Sequence, residues 1–234
     1  SVLKKHFSTS FVYNDFCKNN TKKKEKQVLQ ISLIIITQSI AYFYLCVRGK
    51  KQDLENRRMI RNYVLSLCLT ILFAWVAKRA TTNLLSYTRL LTLYQILYCI
   101  AVVDAQTKLI PNILLVFGGL FQILFLGIEW VINDCSLKNI LFPAIVGGIV
   151  SFGILFVIYL ISRQAIGFGD VKLIGLIGFF SDYLRSLSVL FFALIFATIY
   201  AIYLLCCKKY SKEEPFAFAP FIFCGYCFYT FLLG

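Results

Sequence analysis

Residues Ile140–Ile161 read ILFPAIVGGIVSFGILFVIYLI, twenty-two consecutive positions without a charge. An apolar run of about 20 residues is the length an α-helix needs to cross the hydrocarbon core of a bilayer. Ile113–Ile132 and Leu187–Cys207 are spans of the same kind. Gln30–Val47, Tyr63–Ala77, Leu84–Val103 and Phe216–Leu233 are apolar but shorter or interrupted, with Gln38 and Ser39 in the first and Arg89 in the third. Val171–Phe180 is too short alone and needs residues before Asp170 to complete a crossing. The fold class expected is all-α, a polytopic membrane helix bundle of about six to eight transmembrane segments.

Composition agrees. The 234 residues are 59% hydrophobic with a mean hydropathy of +0.77, well above a soluble domain. The net charge of +13 would suit a nucleic-acid binder, but positive cytoplasmic loops on a membrane protein explain it better, and no nucleic-acid partner is expected. The lipid bilayer is the expected surrounding, and many Tyr and Phe fall near span ends, as interfacial belts require. Nine cysteines are scattered mostly through apolar runs, where buried reduced thiols are the plain reading. The chain opens at Ser1, not Met, which leaves room for sequence ahead of it. Two units are expected. Residues 1–62 form a basic N-terminal region with an interfacial or membrane segment, and residues 63–234 form the main membrane unit.

Loop charges set the orientation. With Asp104 at a cytoplasmic helix end, loops 48–62, 104–112, 162–172 and 207–215 face the cytoplasm and carry twelve Lys and Arg; loops 78–83, 133–139 and 181–186 carry four. The excess follows the positive-inside rule. It conflicts only with Gln30–Val47, which would put the lysines of residues 1–26 outside if it spans. An interfacial or re-entrant placement, or a preceding helix, removes the conflict.

Among eleven acids, only Asp104, Asp170 and Glu129 lie beside or within apolar runs. Glu129 sits three residues from a loop and is read as an interface residue. Asp104 and Asp170 fall on the same predicted face of the membrane, and carboxylates at such depth are functional candidates by default. Two carboxyls close together cannot both ionise cheaply and share a proton. One can then take a proton from water while the other polarises a carbonyl, which is peptide hydrolysis with neither metal nor cofactor. Around Asp170 stands Gly167-Phe168-Gly169-Asp170-Val171-Lys172. Gly167 and Gly169 are expected to permit close approach of an extended substrate along non-helical backbone. Pro111 suits the first turn of the helix after Asp104, and Lys172 can hold Asp170 ionised or meet headgroups. The catalytic candidates are thus Asp104 and Asp170, and the substrate-binding candidates Gly167, Gly169, Lys172 and Pro111. Alone, a Gly-x-Gly-Asp occurs in ordinary loops and a membrane-edge Asp is often a cap; the pairing on one face is what points to an aspartyl protease. Gly118-Gly119 and Gly147-Gly148 read as helix packing. Cys224 and Cys227, without a second ligand pair, read the same way.

These residues carry a resemblance to the type IV prepilin peptidase family: Asp104 followed by Ile110-Pro111-Asn112, Gly167-Phe168-Gly169-Asp170-Val171-Lys172-Leu173, and Pro215-Phe216-Ala217-Phe218-Ala219-Pro220-Phe221, the last with Ala at a usual Gly. The resemblance covers roughly residues 63–234. It implies removal of a short basic leader from prepilin or pseudopilin precursors at the cytoplasmic membrane face, with cleavage after Gly and Asp104 and Asp170 as the catalytic pair. It also implies a multi-pass protein of the bacterial cell membrane, similar to Gram-positive competence-type members. Larger members hold zinc with two Cys-x-x-Cys pairs and N-methylate the product. Here Asn14-Asp15-Phe16-Cys17 resembles a decayed first pair, and no cysteine follows Arg48-Gly49-Lys50-Lys51.

Two other classes compete. Proteases of the signal-peptide-peptidase and presenilin type show Tyr-Asp at the first acid and a Pro-Ala-Leu; here Val103 precedes Asp104 and no Pro-Ala-Leu occurs. A transporter could use Asp104 and Asp170 as a proton relay, but no inverted repeat is visible.

A single cysteine cannot build a four-ligand zinc site. Peptide cleavage is therefore expected to be unchanged by a chelator, with no stoichiometric metal in elemental analysis of the purified protein. Bound zinc at one equivalent would contradict the reading of the N-terminal region.

Overall fold

The computed structural model describes residues 56–81, 84–133, 137–161, 166–207 and 217–233. Gln30–Val47, Cys17 and the Arg48–Lys51 stretch lie outside the described residues, as does Pro215-Phe216. Seven α-helices run through the described residues: α1 Asn56–Ala80, α2 Leu84–Thr107, α3 Asn112–Asn133, α4 Leu137–Ile161, α5 Phe168–Phe180, α6 Tyr183–Cys206 and α7 Ala219–Leu233. The expected polytopic helical bundle is what forms. Segments of α2, α3, α4 and α6 are long and apolar enough to cross a membrane, and α7 is a shorter apolar helix. Helix α1 starts ahead of residue 63, inside the region expected to be N-terminal and basic.

The helices divide by what surrounds them. Two thirds of the apolar window of α2 is buried, whereas for α3, α4 and α6 the share is near one fifth. Large apolar side chains of those three, such as Phe117, Ile149 and Ile199, point outward. That is the expected division between a central helix and a lipid-facing ring, because lipid tails cost an outward Leu or Ile nothing. Helix α5 is as central as α2: Val171, Leu173, Ile174 and Ile177 are fully buried.

Several polar groups in this interior are bonded at fixed points. Tyr226 of α7 donates its hydroxyl to the Leu90 carbonyl at 2.9 Å, and its ring stacks near Phe73. Gln122 of α3 donates to the Phe179 carbonyl at 2.8 Å. Ser186 of α6 donates to the Ile174 carbonyl at 3.1 Å. Arg89, the cation inside the third apolar run, forms an ion pair with Glu129 across α2 and α3. Glu129 is therefore not simply a water-facing interface residue; its charge is spent on Arg89.

The closest helix contact is between α4 and α5. A Cβ on Gly147 would press into the Gly178 carbonyl, and a Cβ on Gly178 into the Gly147 carbonyl and the Ser151 hydroxyl. Small residues let backbones approach this closely, the usual device where lipid removes any hydrophobic drive for association. Gly148 packs on Phe179 and Gly118 on Leu176, whereas nothing lies within 4 Å of a Cβ on Gly119. Three of the four glycines expected to pack do so.

Gly178→Val is accordingly expected to cost about 3 kcal/mol or more, the upper end of overpacking penalties, because backbone lies on the other side of the contact. The melting temperature of the purified protein in detergent should fall by roughly 6 °C or more. Gly119→Val should leave it unchanged, and equal effects would remove the seam argument.

Candidate active site

Asp104 lies in the last turn of α2, which ends at Thr107. The helix stops because Lys108 adopts a left-handed conformation, φ 54°, the only positive φ of a non-glycine among the described residues. Its N–H donates to the Asp104 carbonyl at 2.7 Å, a helix-closing bond of the αL type. The chain then turns through Leu109 and Ile110 to Pro111, whose carbonyl accepts from Leu114 N–H at 3.1 Å and opens α3. Pro111 thus does what the sequence reading assigns to it locally, as a helix starter.

Asp170 lies in the first turn of α5. Gly167, just before the helix, is extended, with φ −66° and ψ 132°, and its carbonyl accepts from Asp170 N–H at 3.0 Å. The expected stretch of non-helical backbone is therefore short: Gly169 is already helical, and neither Gly167 nor Gly169 has a positive φ. These glycines are needed for space. A Cβ on Gly167 would stand 2.9 Å from Asp170 Oδ2, and one on Gly169 would stand 2.9 Å from Ile110 Cβ.

One cavity of about 550 Å³ is lined by Asp104, Asp170, Gly167 and Gly169 together. Its remaining wall is apolar apart from Lys108: Ile110 from the α2–α3 turn, Leu155 and Ile158 from α4, Leu190 and Leu194 from α6, and Phe218 before α7. The rim residues Leu109, Ile158, Phe168 and Leu194 are exposed, so the cavity opens outward. Both carboxylate residues are buried, Asp104 at 5% and Asp170 at 8% exposure, and Asp104 is near enough for its charge to act on Asp170.

Each acid meets a helix N-terminus. Asp104 Oδ2 accepts from Ala219 N–H at 3.0 Å, the first residue of α7. Phe218 caps that helix with its carbonyl, accepting from Phe221 N–H at 3.0 Å. Asp170 sits on the positive end of α5 itself. Unpaired N–H groups and the aligned peptide dipoles at such ends favour negative charge. Asp170 Oδ1 is buried without a hydrogen-bond partner.

Lys172 and Pro111 are not among the residues lining this cavity. Lys172 donates to Asn112 Oδ1 at 3.1 Å and lies over the Phe168 ring at 4.9 Å, tying α5 to α3. The sequence reading assigns no role to Ala219 or Phe218, although both lie in the Pro-Phe-Ala-Phe-Ala-Pro motif it quotes. The signal was the motif itself; an amide donor cannot be seen in a residue type, since every non-proline residue has one.

Comparison with known proteins covers the same part of the chain. The profile of the type IV leader peptidase family matches residues 91–202, a segment that contains both Asp104 and Asp170. The chain is also 26% identical, over 182 residues, to a prepilin leader peptidase/N-methyltransferase of Bacillus subtilis strain 168; the match covers 78% of this chain and 70% of that protein. No solved structure matches. In the segment that carries its two buried aspartates, the chain is similar to the type IV leader peptidase family.

Proposed function

We propose that this protein is an aspartic endopeptidase of the bacterial cell membrane that removes the short basic leader from prepilin or pseudopilin precursors. The catalytic unit is residues 63–234. The observation that carries the proposal is the common cavity of Asp104 and Asp170; the name of the Bacillus subtilis relative supports the substrate class. By the loop charges, twelve basic residues against four, the cavity faces the cytoplasm.

The chemistry follows from the hydrogen bonds. The pair shares one proton, since two close carboxylates in an apolar site cannot both be charged. Asp104, bonded to Ala219 N–H, is the oxygen pair on which negative charge is stabilised. Asp170, with Oδ1 unpartnered, holds the proton. Asp104 takes a proton from water as the water oxygen bonds to the scissile carbonyl carbon, and Asp170 gives its proton to the carbonyl oxygen. When the tetrahedral diol collapses, the C–N bond breaks, the proton on Asp104 passes to the leaving nitrogen, and Asp170 takes back a hydroxyl proton as the carbonyl re-forms. The apolar wall from Leu155 to Leu194 suits a substrate whose helix lies in the bilayer while its basic leader stays at the surface. The relative's name carries a methyltransferase activity too; the aspartate pair supplies only the hydrolysis.

Asp104→Asn and Asp170→Asn are each expected to lower precursor cleavage in membranes roughly a thousandfold or more, because members of a catalytic pair fail together. The extracted variants should remain monodisperse. Substantial cleavage by either well-folded variant would overturn the assignment.

The glycine geometry gives a separate test. Gly169→Val should abolish cleavage by driving its side chain into Ile110, and Ile110→Ala in the same chain should restore part of it. A precursor with its pre-cleavage Gly changed to Val should also resist the wild-type enzyme. Normal cleavage in both the Gly169→Val enzyme and the Val precursor would remove the close-approach model.

A further inference from the structure

At the other end of the bundle from the aspartates lies a second cavity, of about 250 Å³. Arg89 of α2 and Arg185 of α6 both line it. Each guanidinium has a buried Nε–H without a hydrogen-bond partner. A buried donor left unmade costs free energy, and the two arginines that carry these donors line one cavity. Two carboxylates lie nearby, and one of them, Asp182, lines the cavity itself. Glu129 pairs with a terminal nitrogen of Arg89, and Asp182 accepts from the Arg185 backbone N–H at 2.7 Å as the cap of α6. The hydroxyl residues Ser86 and Ser181 border the same space.

Depth says what reaches it. Arg89 and Asp104 are fifteen residues apart on one helix, about 22 Å along its axis. Helix α5, with Asp170 at one end and the cavity at the other, has thirteen residues, about 20 Å. The hydrocarbon core is about 30 Å thick. One of the two polar ends must therefore lie below the headgroup level unless the bilayer thins there. Around the cavity the starts of α2 and α6 present exposed apolar side chains, Leu84, Tyr183 and Leu184, which suit acyl chains.

We infer that the Arg89–Arg185 cavity is a binding site for a phosphate anion, carried by a phospholipid headgroup of the leaflet opposite the aspartates and drawn inward by the thin polar-to-polar distance of the bundle. Guanidinium groups suit phosphate oxygens because their N–H donors are fixed in a plane. The site is separate from the peptidase cavity, and its test involves no cleavage.

The test is thermal stability and lipid retention of the purified full chain in maltoside detergent. Phosphatidylglycerol at about a hundredfold excess over its dissociation constant should raise the melting temperature by roughly 5 °C, and native mass spectrometry should show one retained lipid. A glucosyl diacylglycerol, with the same chains and no phosphate, should do neither. Arg185→Gln should lose both effects. Ser86→Leu, which fills the cavity without removing a charge, should lose them too and guards against a folding defect in the arginine variant. Inorganic phosphate producing the shift alone would support the site with free phosphate as its ligand. An equal response to the glucolipid, or an unchanged response in both variants, would overturn the inference.

Discussion

Asp104 and Asp170 are carboxyl groups held inside an apolar bundle, and each is placed where a helix begins. One accepts from the first amide of α7, and the other stands on the first turn of α5. A carboxylate without such partners would be costly at this depth. The need to bring two helix starts and the last turn of α2 to one point explains features that otherwise look arbitrary. Helix α2 is closed at Lys108 by a left-handed residue, α3 is restarted at once by Pro111, and α5 begins late and runs only thirteen residues.

The second constraint is distance. Two polar ends, the buried aspartates and the half-buried arginines, stand only about 20 Å apart along α2 and α5, less than the hydrocarbon core is thick. Between them the bundle is held by close backbone contact as well as by polar bonds: Gly147 and Gly178 leave no room for a side chain on either helix. A rigid seam of this sort keeps α5 from sliding along α4. Asp170 then keeps its place against Asp104 while lipid-facing side chains of α3, α4 and α6 remain free to repack.

The wall of the aspartate cavity and the outer surface of the bundle are made largely of the same residue types. Leu155 and Ile158 of α4 and Leu190 and Leu194 of α6 continue outward into lipid-exposed Val157 and Phe191. An apolar substrate helix moving laterally from the bilayer would meet no polar barrier before the two acids. Exposed Lys108 on the cavity wall gives that rim a polar side.

Much was legible in the amino-acid sequence alone. Long uncharged runs can only be satisfied in a bilayer as helices, so the fold class follows from length and composition. Two acids beside apolar runs stand out because burial of a charge is expensive, so Asp104 and Asp170 were identifiable without coordinates. The tertiary structure decided what depends on which helices meet. Glu129 finds Arg89 forty residues away, Lys172 turns to Asn112 and the Phe168 ring and not to the acids, and Gly167 and Gly169 serve packing space at helical or extended φ and not unusual backbone. The amide of Ala219 reaches Asp104 across 115 positions of chain. Side-chain chemistry and hydropathy are local properties, readable residue by residue. A backbone donor has no residue signature, and its aim exists only once α2 and α7 are packed together.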